Sequence, residues 1–169
     1  MVRVGKLNLM SVRVRAHAAV DPKIVSWHST HRPPVGWRVA FVLRIPGESW
    51  GDLTGFRDVG VSTWGRPVAR GEDQIHTMEH TRMALGPGAP KNSASWFLAA
   101  NRAWIRRYLP EVRKLIAYVD EDQGHTGVTY RADGWEVVYR ARVRSQTWSS
   151  RPGRTGRQAT SRTKFCRAP

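Results

Sequence analysis

Residues 74–120 contain the pattern that most constrains the fold of this chain. The stretch QIHTMEHTRMAL has the composition of a strand, and the glycine-rich segment LGPGAPKN interrupts it. The next residues, SASWFLAANRAWIRRYL, carry apolar side chains near helical spacing, and Pro110 ends this helix. The segment VRKLIAYVD then has the apolar content of a buried strand. A long helix that leads directly into such a strand predicts a crossover unit packed on a sheet.

Shorter periodic stretches flank this unit. Residues 2–15 alternate apolar and polar side chains, which predicts a strand. Asp21 followed by proline predicts a helix N-cap and a short helix over roughly 22–31, because Pro33 forbids its continuation. WRVAFVLRI and DVGVSTWGRP predict two more strands, and GHTGVTYRADGWEVVYRARV predicts a short helix, a turn and a final strand.

Length and composition favour one globular domain. The chain has 169 residues, of which 40% are hydrophobic, and this suffices for a core. It lacks the run of roughly 20 apolar residues that a membrane span needs and the apolar region of a secretory signal. We therefore expect a protein of the cytoplasm, with no membrane partner. The single cysteine, Cys166, has no partner for an internal disulfide.

The charge of the chain predicts a polyanionic partner. Lysine and arginine number 28 against 13 acidic residues, for a formal net charge of +15, and residues 140–169 contain no acidic residue. Arginine pairs bidentately with phosphates and guanine edges, although a GC-rich genome would also raise its share. Residues 145–169 lack periodicity and predict an arginine-rich extension that contacts nucleic acid. The nucleic-acid-binding candidates are Arg140, Arg142, Arg144, Arg151, Arg154, Arg157 and Trp148.

The glycine-rich turn before the long helix is a candidate anion site. Free backbone amides and the helix dipole favour an anion there, and glycines let the backbone approach a phosphate. An ordinary connector between two elements would have the same composition. The candidate ligands for the anionic part of a donor are Arg82, Gly86, Gly88, Asn92, Ser93 and Ser95, with Asn92 or Ser93 as the helix cap.

Two histidines form the second candidate site. His28 and His31 are three positions apart, which places both imidazoles on one face of the predicted helix. With Asp120 at a strand end and Glu79 or His80 on another strand, they would form a cluster that binds a metal such as iron or zinc or shuttles protons. The alternative is that the helix dipole alone favours histidine in a last turn.

The order of predicted elements resembles the GNAT fold of acyltransferases: strand, helix, three-strand meander, glycine turn, long helix, strand, short helix, strand. Arg82, Gly86 and Gly88 are similar to the phosphate-binding loop of that family, but with one extra residue. Tyr130, Gly134 and Trp135 match its "tyrosine, three residues, glycine, aromatic" pattern. The resemblance implies an α/β (α+β) fold whose mainly antiparallel central sheet is flanked by helices.

The GNAT resemblance also implies domain limits and a role for Tyr130. It implies a catalytic domain over 1–144, followed by the basic extension 145–169. In the family this tyrosine often protonates the leaving thiolate, so Tyr130 is a candidate general acid. Packing before a turn would explain a buried tyrosine equally well. The donor would be an acyl-coenzyme A, an aminoacyl-tRNA or another activated compound.

A narrower resemblance, to the phage DNA-modification proteins of the Mom type, covers most of the chain. The segments that carry it are WHSTHRPPVGWRVAFVL, GVSTWGRPVAR, KNSASWFLAA, LIAYVDEDQGHTGVTYRADGW and WSSRPGR. The resemblance implies transfer of a carbamoylmethyl-type group to the exocyclic amine of adenine in phage DNA, which protects it from restriction. The implied catalytic residues are His28, His31, Asp120 and Tyr130. A non-catalytic DNA-binding protein and an acyltransferase for proteins or small molecules remain the alternatives.

Overall fold

A computed structural model describes residues 2–3, 9–47, 55–141 and 161–169. Eight strands and three α-helices follow one another along these ranges in the predicted order, except that the single strand predicted over 2–15 is two strands and one strand is added at the C-terminal end. They are β1 (Val2–Arg3), β2 (Met10–Val14), α1 (Asp21–Trp27), β3 (Val39–Pro46), β4 (Phe56–Gly65), β5 (Thr77–Leu85), α2 (Ser93–Tyr108), β6 (Lys114–Asp120), α3 (Val128–Ala132), β7 (Glu136–Ala141) and β8 (Arg162–Arg167).

The strands form one sheet in the order β1-β2-β3-β4-β5-β6-β8-β7. All neighbours pair antiparallel except β5 and β6, which are parallel because α2 connects them as a crossover. The predicted mixed, mainly antiparallel sheet flanked by helices is therefore confirmed. Within the described ranges no helix is both long enough and apolar enough to span a bilayer.

The two faces of the sheet carry separate helices. On one face, called the α2 face, Phe97, Leu98 and Ile105 of α2 pack with strand residues such as Phe41 and Leu115 in the main core. On the other, the α1 face, a smaller apolar cluster joins α1 to the sheet. Helix α1 packs mainly against β4 and β5. The main core lies on the other face, under α2.

Helix α1 is shorter than predicted and begins one residue earlier. Val20 is its N-cap, so the predicted capping by Asp21 is wrong, and Asp21 is the first helical residue. The helix ends at Trp27 rather than near residue 31, because His28 has extended backbone angles of φ −90° and ψ 139°. The C-cap, His28, is therefore five residues before Pro33, the proline that was expected to end the helix.

The C-terminal segment is part of the sheet. Residues 162–167 form β8, which lies between β6 and β7, and its Phe165 is fully buried. The predicted division between a domain of 1–144 and an extension of 145–169 is therefore wrong for this strand. Phe165 is part of the main core.

Strands β5 and β6 diverge halfway along their length. They pair from Thr77 with Lys114 to His80 with Ala117, and no further. Beyond this point β5 stays paired with β4 up to Leu85, whereas β6 stays paired with β8 up to Asp120. Thr81 is an extra residue in β5, since His80 and Arg82 pair with consecutive residues of β4. Such a bulge bends the strand away from its neighbour and opens the sheet.

Candidate active site

A cleft of about 850 Å³ opens where β5 and β6 separate. The walls come from both strands, from the end of α1, from α3, and from the loop between β6 and α3. Open parallel strands commonly place ligands at their carboxyl ends, where loops and helix termini converge. The polar and charged side chains at this cleft are His28, Ser29, Thr30, Glu79, His80, Thr81, Arg82, Tyr118, Asp120, Gln123, His125, Thr126, Thr129, Tyr130, Tyr139 and Arg162.

Tyr130 and His80 form a hydrogen-bonded pair inside the cleft. The Tyr130 hydroxyl lies 2.9 Å from Nδ1 of His80, and Nε2 of His80 lies 3.0 Å from the Ser62 hydroxyl. Both His80 and Ser62 are buried. Burial lowers the pKa of His80 to about 3 and raises that of Tyr130, so both are neutral at pH 7. The structure therefore places Tyr130 in the cleft, hydrogen-bonded to His80.

The tautomer of His80 decides what Tyr130 can do. If Nε2 accepts from the Ser62 hydroxyl, then Nδ1 carries the proton and donates to the Tyr130 oxygen. The Tyr130 proton is then free to point at a bound molecule. The same Nδ1–H would stabilise the tyrosinate after proton transfer. Ser62 thereby controls the acid character of Tyr130 through one imidazole.

Several packing contacts hold Tyr130 in place. Its ring stacks on Phe165 of β8 with centroids 5.3 Å apart. Gly127, just before α3, has φ +71°, and a Cβ there would lie 2.4 Å from the Phe165 ring, so only glycine fits. Arg102 of α2 binds Asp133 through two 2.9 Å hydrogen bonds and fixes the end of α3.

His28 lies at the mouth of the cleft, at the C-terminal end of α1. Its Nδ1 accepts a 3.1 Å hydrogen bond from the Thr30 amide, so the neutral ring carries its proton on Nε2. Burial, together with the nearby charges of Arg82, His125 and His31, lowers the pKa of His28 to about 4. His28 is therefore a neutral hydrogen-bond donor at pH 7.

His31 does not join His28 on a helix, so that part of the prediction is wrong. It lies beyond the helix in a turn with φ 48°, and its Nδ1 is 2.7 Å from the Val25 carbonyl oxygen. His31 is exposed and does not line the cleft. Because α1 ends at Trp27, the spacing of three residues no longer places the two rings on one face.

Asp120 and His125 line the cleft where β6 ends and in the loop that follows it. Asp120 ends β6 and accepts a 3.2 Å hydrogen bond from the Asp122 amide. His125 Nε2 lies 3.4 Å from the Ser29 hydroxyl, so the loop after β6 meets the segment after α1 across the cleft. The structure thus brings His28, Asp120 and Tyr130 to one cleft.

Glu79 contributes a buried carboxyl group next to His80. It accepts a 2.8 Å hydrogen bond from the Val68 amide and is 7% exposed. Burial raises its pKa against the opposing effects of the Val68 hydrogen bond and of Arg82 and Arg162. A carboxyl group with a raised pKa in a cleft is suited to accept a proton. The signal in the sequence was a Glu-His pair at consecutive positions in a strand, where one of the two must face each side of the sheet.

The glycine turn does not provide the predicted anion cradle. The Gly86 amide donates to the Val59 carbonyl at 2.9 Å, and a Cβ on Gly86 would lie 2.6 Å from the Trp27 ring. A Cβ on Gly88 would likewise lie 2.7 Å from the Arg57 guanidinium. These glycines make room for side chains of the protein itself.

The serines and the asparagine of the turn are also committed elsewhere. Asn92 is the N-cap of α2, with φ 65° and no capping hydrogen bond from its side chain. Ser93 and Ser95 donate their hydroxyls to the carbonyls of Pro90 and Asn92. Of the six predicted donor ligands, only Arg82 lines the cleft. The turn therefore does not fit the pyrophosphate of coenzyme A, and no catalytic step below depends on that cofactor.

The predicted metal site has too few ligands. The described residues contain no group of three or more histidine, cysteine, aspartate or glutamate side chains that could hold an ion. The Nδ1 atoms of both candidate ligands, His28 and His31, are engaged with backbone groups. No step below is assigned to iron or zinc.

The predicted DNA-binding residues are only partly described. Arg142, Arg144, Trp148, Arg151, Arg154 and Arg157 lie outside the described residues. Arg140 is exposed on β7, with its Nε 3.7 Å from a Glu121 carboxyl oxygen. Aromatic side chains can stack an extruded base, but among the tryptophans Trp64 is fully buried, and Trp27 and Trp37 are partly buried in the α1 cluster. A role of these residues in DNA binding stays a prediction.

Solved structures define the class of fold. The chain aligns with a ribosomal-protein-alanine N-acetyltransferase from Brucella melitensis at TM-score 0.59 and 15% identity, over 94% of this chain and 99% of the other. It aligns at TM-score 0.60 and 11% identity with a structure from Salmonella typhimurium described as an acetyltransferase with its cofactor acetyl-CoA, over 95% and 94%. A GNAT-family acetyltransferase from Streptococcus pneumoniae aligns at TM-score 0.51 and 11% identity, over 77% of this chain and 65% of that one. The fold is therefore the GNAT fold.

The sequence itself defines the family. Residues 13–165 match the model of the Mom protein family, so the chain belongs to that family. Both resemblances inferred from the sequence, to the GNAT fold and to the Mom type, are confirmed. No curated protein matches the sequence.

Proposed function

We propose that this protein is a DNA-modifying transferase that adds a small carbamoylmethyl-type group to the exocyclic amine of adenine. The observation that carries the proposal is the match of residues 13–165 to the Mom family. The GNAT fold supports it, because that fold is built around a cleft between diverging strands. The biological role would be protection of phage DNA from restriction.

The cleft provides groups for the proton transfers that this reaction needs. The adenine amine is a weak nucleophile because its lone pair is delocalised into the ring, so a proton must be removed as it attacks. The carboxyl group of Glu79 accepts this proton, since its raised pKa makes it a better base than an exposed carboxylate. The N–C bond to the transferred group forms as the bond from that group to its carrier breaks.

Other residues of the cleft protonate the leaving group and stabilise the developing negative charge. Tyr130 donates its hydroxyl proton to the leaving atom, and His80 stabilises the resulting tyrosinate. The Nε2–H group of His28 and the guanidinium of Arg82 line the same cleft and stabilise negative charge in the transition state. Asp120 at the end of β6 orients the acceptor through hydrogen bonding.

The partner would be double-stranded DNA. The net charge of +15 supports binding to a polyanion. A base inside a duplex must be extruded from the stack before it can enter an enzyme's cleft. Binding to duplex DNA should weaken steeply as salt rises, because each phosphate contact releases counterions. An affinity independent of salt would contradict this partner.

The decisive experiment is a nucleoside analysis. The protein is expressed in a bacterium, the genomic DNA is digested to nucleosides, and mass spectrometry searches for an adenosine of increased mass. We expect this product with the wild type and a loss of roughly 100-fold or more with Glu79→Gln, which keeps an acceptor for the Val68 amide but cannot take a proton. Unmodified adenosine from a well-expressed, folded wild-type protein would refute the proposal.

A further inference from the structure

A row of side chains crosses the α1 face of the sheet beside the cleft. Directly paired residues of neighbouring strands project to the same face. Tyr118 of β6 pairs with Lys164 of β8, and Lys164 pairs with Tyr139 of β7. Glu79 is on this face too, because it pairs with Ile116, two residues from Tyr118. The neighbouring His80 points to the α2 face.

Lys164 lies between the two tyrosines of this row and contacts both rings. Burial raises the pKa of Tyr118, and the side-chain hydrogen bond between Tyr118 and Tyr139 raises it in the same direction. Nζ of Lys164 lies 6.0 Å from the Tyr118 ring centroid and 5.5 Å from that of Tyr139. Lys164 is itself held by an ion pair with Glu72. The rings are therefore ordered by contacts behind them.

One side of the pair remains open to the cleft. Tyr139 is 47% exposed, and both tyrosines line the cleft with Glu79 and Arg162. An ordered aromatic surface at the wall of a cleft suits a flat ring, because stacking needs area and little loss of side-chain freedom. The cleft lining contains two carboxyl groups, Glu79 and Asp120, and two guanidinium groups, Arg82 and Arg162, so it has no excess of negative charge that would select a protonated amine. A neutral heteroaromatic ring fits this lining.

We propose that Tyr118 and Tyr139 form the surface on which the acceptor base stacks, with its exocyclic amine toward Glu79. This inference rests on the proposed function, and it specifies which side of the cleft receives the base. It assigns stacking to two tyrosines rather than to the tryptophans, of which Trp64 is fully buried. The α2 face, with His80 and Tyr130, is then left to the donor.

The test measures base binding without chemistry. Duplexes carrying a single bulged adenine and the same duplexes with an abasic bulge are titrated with the full chain. We expect wild type to prefer the adenine bulge by roughly 5- to 100-fold, the range that base stacking on aromatic side chains provides. Tyr139→Thr, which keeps a strand-forming residue on β7, should remove most of this preference. Tyr139→Phe should retain it, because the ring remains.

Matched controls separate stacking from folding. Tyr108→Thr removes an exposed tyrosine of α2 that does not line the cleft, and should leave the preference unchanged. Tyr118→Phe provides a second variant that keeps the ring and loses only the hydrogen bond, and it should bind like wild type within about threefold. A wild type without preference, or a folded Tyr139→Thr variant that keeps it in full, would overturn the inference.

The same samples distinguish this inference from the proposed function. If wild type prefers the bulged adenine but yields no modified adenosine, the stacking surface stands and the transferase assignment fails. If wild type modifies adenine but shows no preference, the transferase stands and the stacking surface is wrong.

Discussion

The two sides of the cleft differ in how completely their side chains are satisfied. On the α2 face, His80 uses both ring nitrogens, and its ring stacks on Trp64 with centroids 4.3 Å apart. On the α1 face, Tyr139 is nearly half exposed and Glu79 has one carboxyl oxygen bound to an amide. Glu79 and His80 are consecutive, so the alternation of a single strand supplies both environments. A closed network suits a fixed proton donor, and an open wall suits an exchanging substrate.

The largest expected effect comes from removing the proton donor of the closed side. Tyr130→Phe should reduce adenine modification by about 10²- to 10⁴-fold, the usual contribution of a general acid or base. Mass spectrometry of genomic nucleosides measures this loss. Preference for a bulged adenine should be unchanged, because the proposed stacking surface lies on the other face. A Tyr130→Phe protein that loses both would show that the two sides do not act separately.

A smaller effect is expected from Ser62→Ala. The Ser62 hydroxyl hydrogen-bonds Nε2 of His80. Without this hydroxyl, the imidazole is no longer held in the tautomer whose Nδ1–H donates to Tyr130 and leaves the Tyr130 proton available for transfer. We expect kcat to fall by roughly tenfold, with unfolding free energy lowered by about 1–3 kcal/mol for the unpaired nitrogen. Affinity for bulged DNA should stay constant. An equal loss of affinity and kcat would indicate a structural role for Ser62 alone.

The smallest effect concerns the pH dependence of stability. The pKa of His80 falls from 6.5 to about 3 on folding, so the unfolded chain binds the proton first as the pH drops. The stabilisation is complete above pH 6.5 and is lost as the pH falls toward 3, by about 1 kcal/mol per pH unit. Urea unfolding at pH 7 and pH 5 should show a steeper loss for wild type than for His80→Gln. Parallel slopes would mean that His80 is not buried in its neutral form.

The order of elements was predictable because each has a clear local period. Helix α2 and strands β3 to β6 alternate or repeat their apolar residues as their structures require. Strand β8 was missed because RTKFCR has one strongly apolar residue and follows a stretch rich in serine, glycine and arginine. Its place in the sheet depends on pairing with β6, more than 40 residues away in sequence, and no local pattern encodes such a partner.

The site was predictable only in part, for a related reason. Tyr130 and Asp120 follow from motifs, and the structure places both at the cleft. The prediction that His28 and His31 share one face of a helix was wrong, because α1 ends at Trp27, four residues before its predicted end. The glycine turn failed because composition does not show that Trp27 and Arg57 lie against it. Tyr118, Tyr139 and Arg162 were missed because three separate strands bring them together.

Strand β7 lies at the edge of the sheet, so the order of the cleft wall that it forms depends on its pairing with one neighbouring strand. Within the described ranges its backbone pairs only with β8. Opening of β8 therefore releases β7 as well, and the two should exchange their amide hydrogens as one cooperative unit. Tyr139 belongs to this unit, while Glu79 and His80 belong to the central strands. The part of the stacking surface that Tyr139 provides is therefore expected to open more readily than the central strands that carry Glu79 and His80.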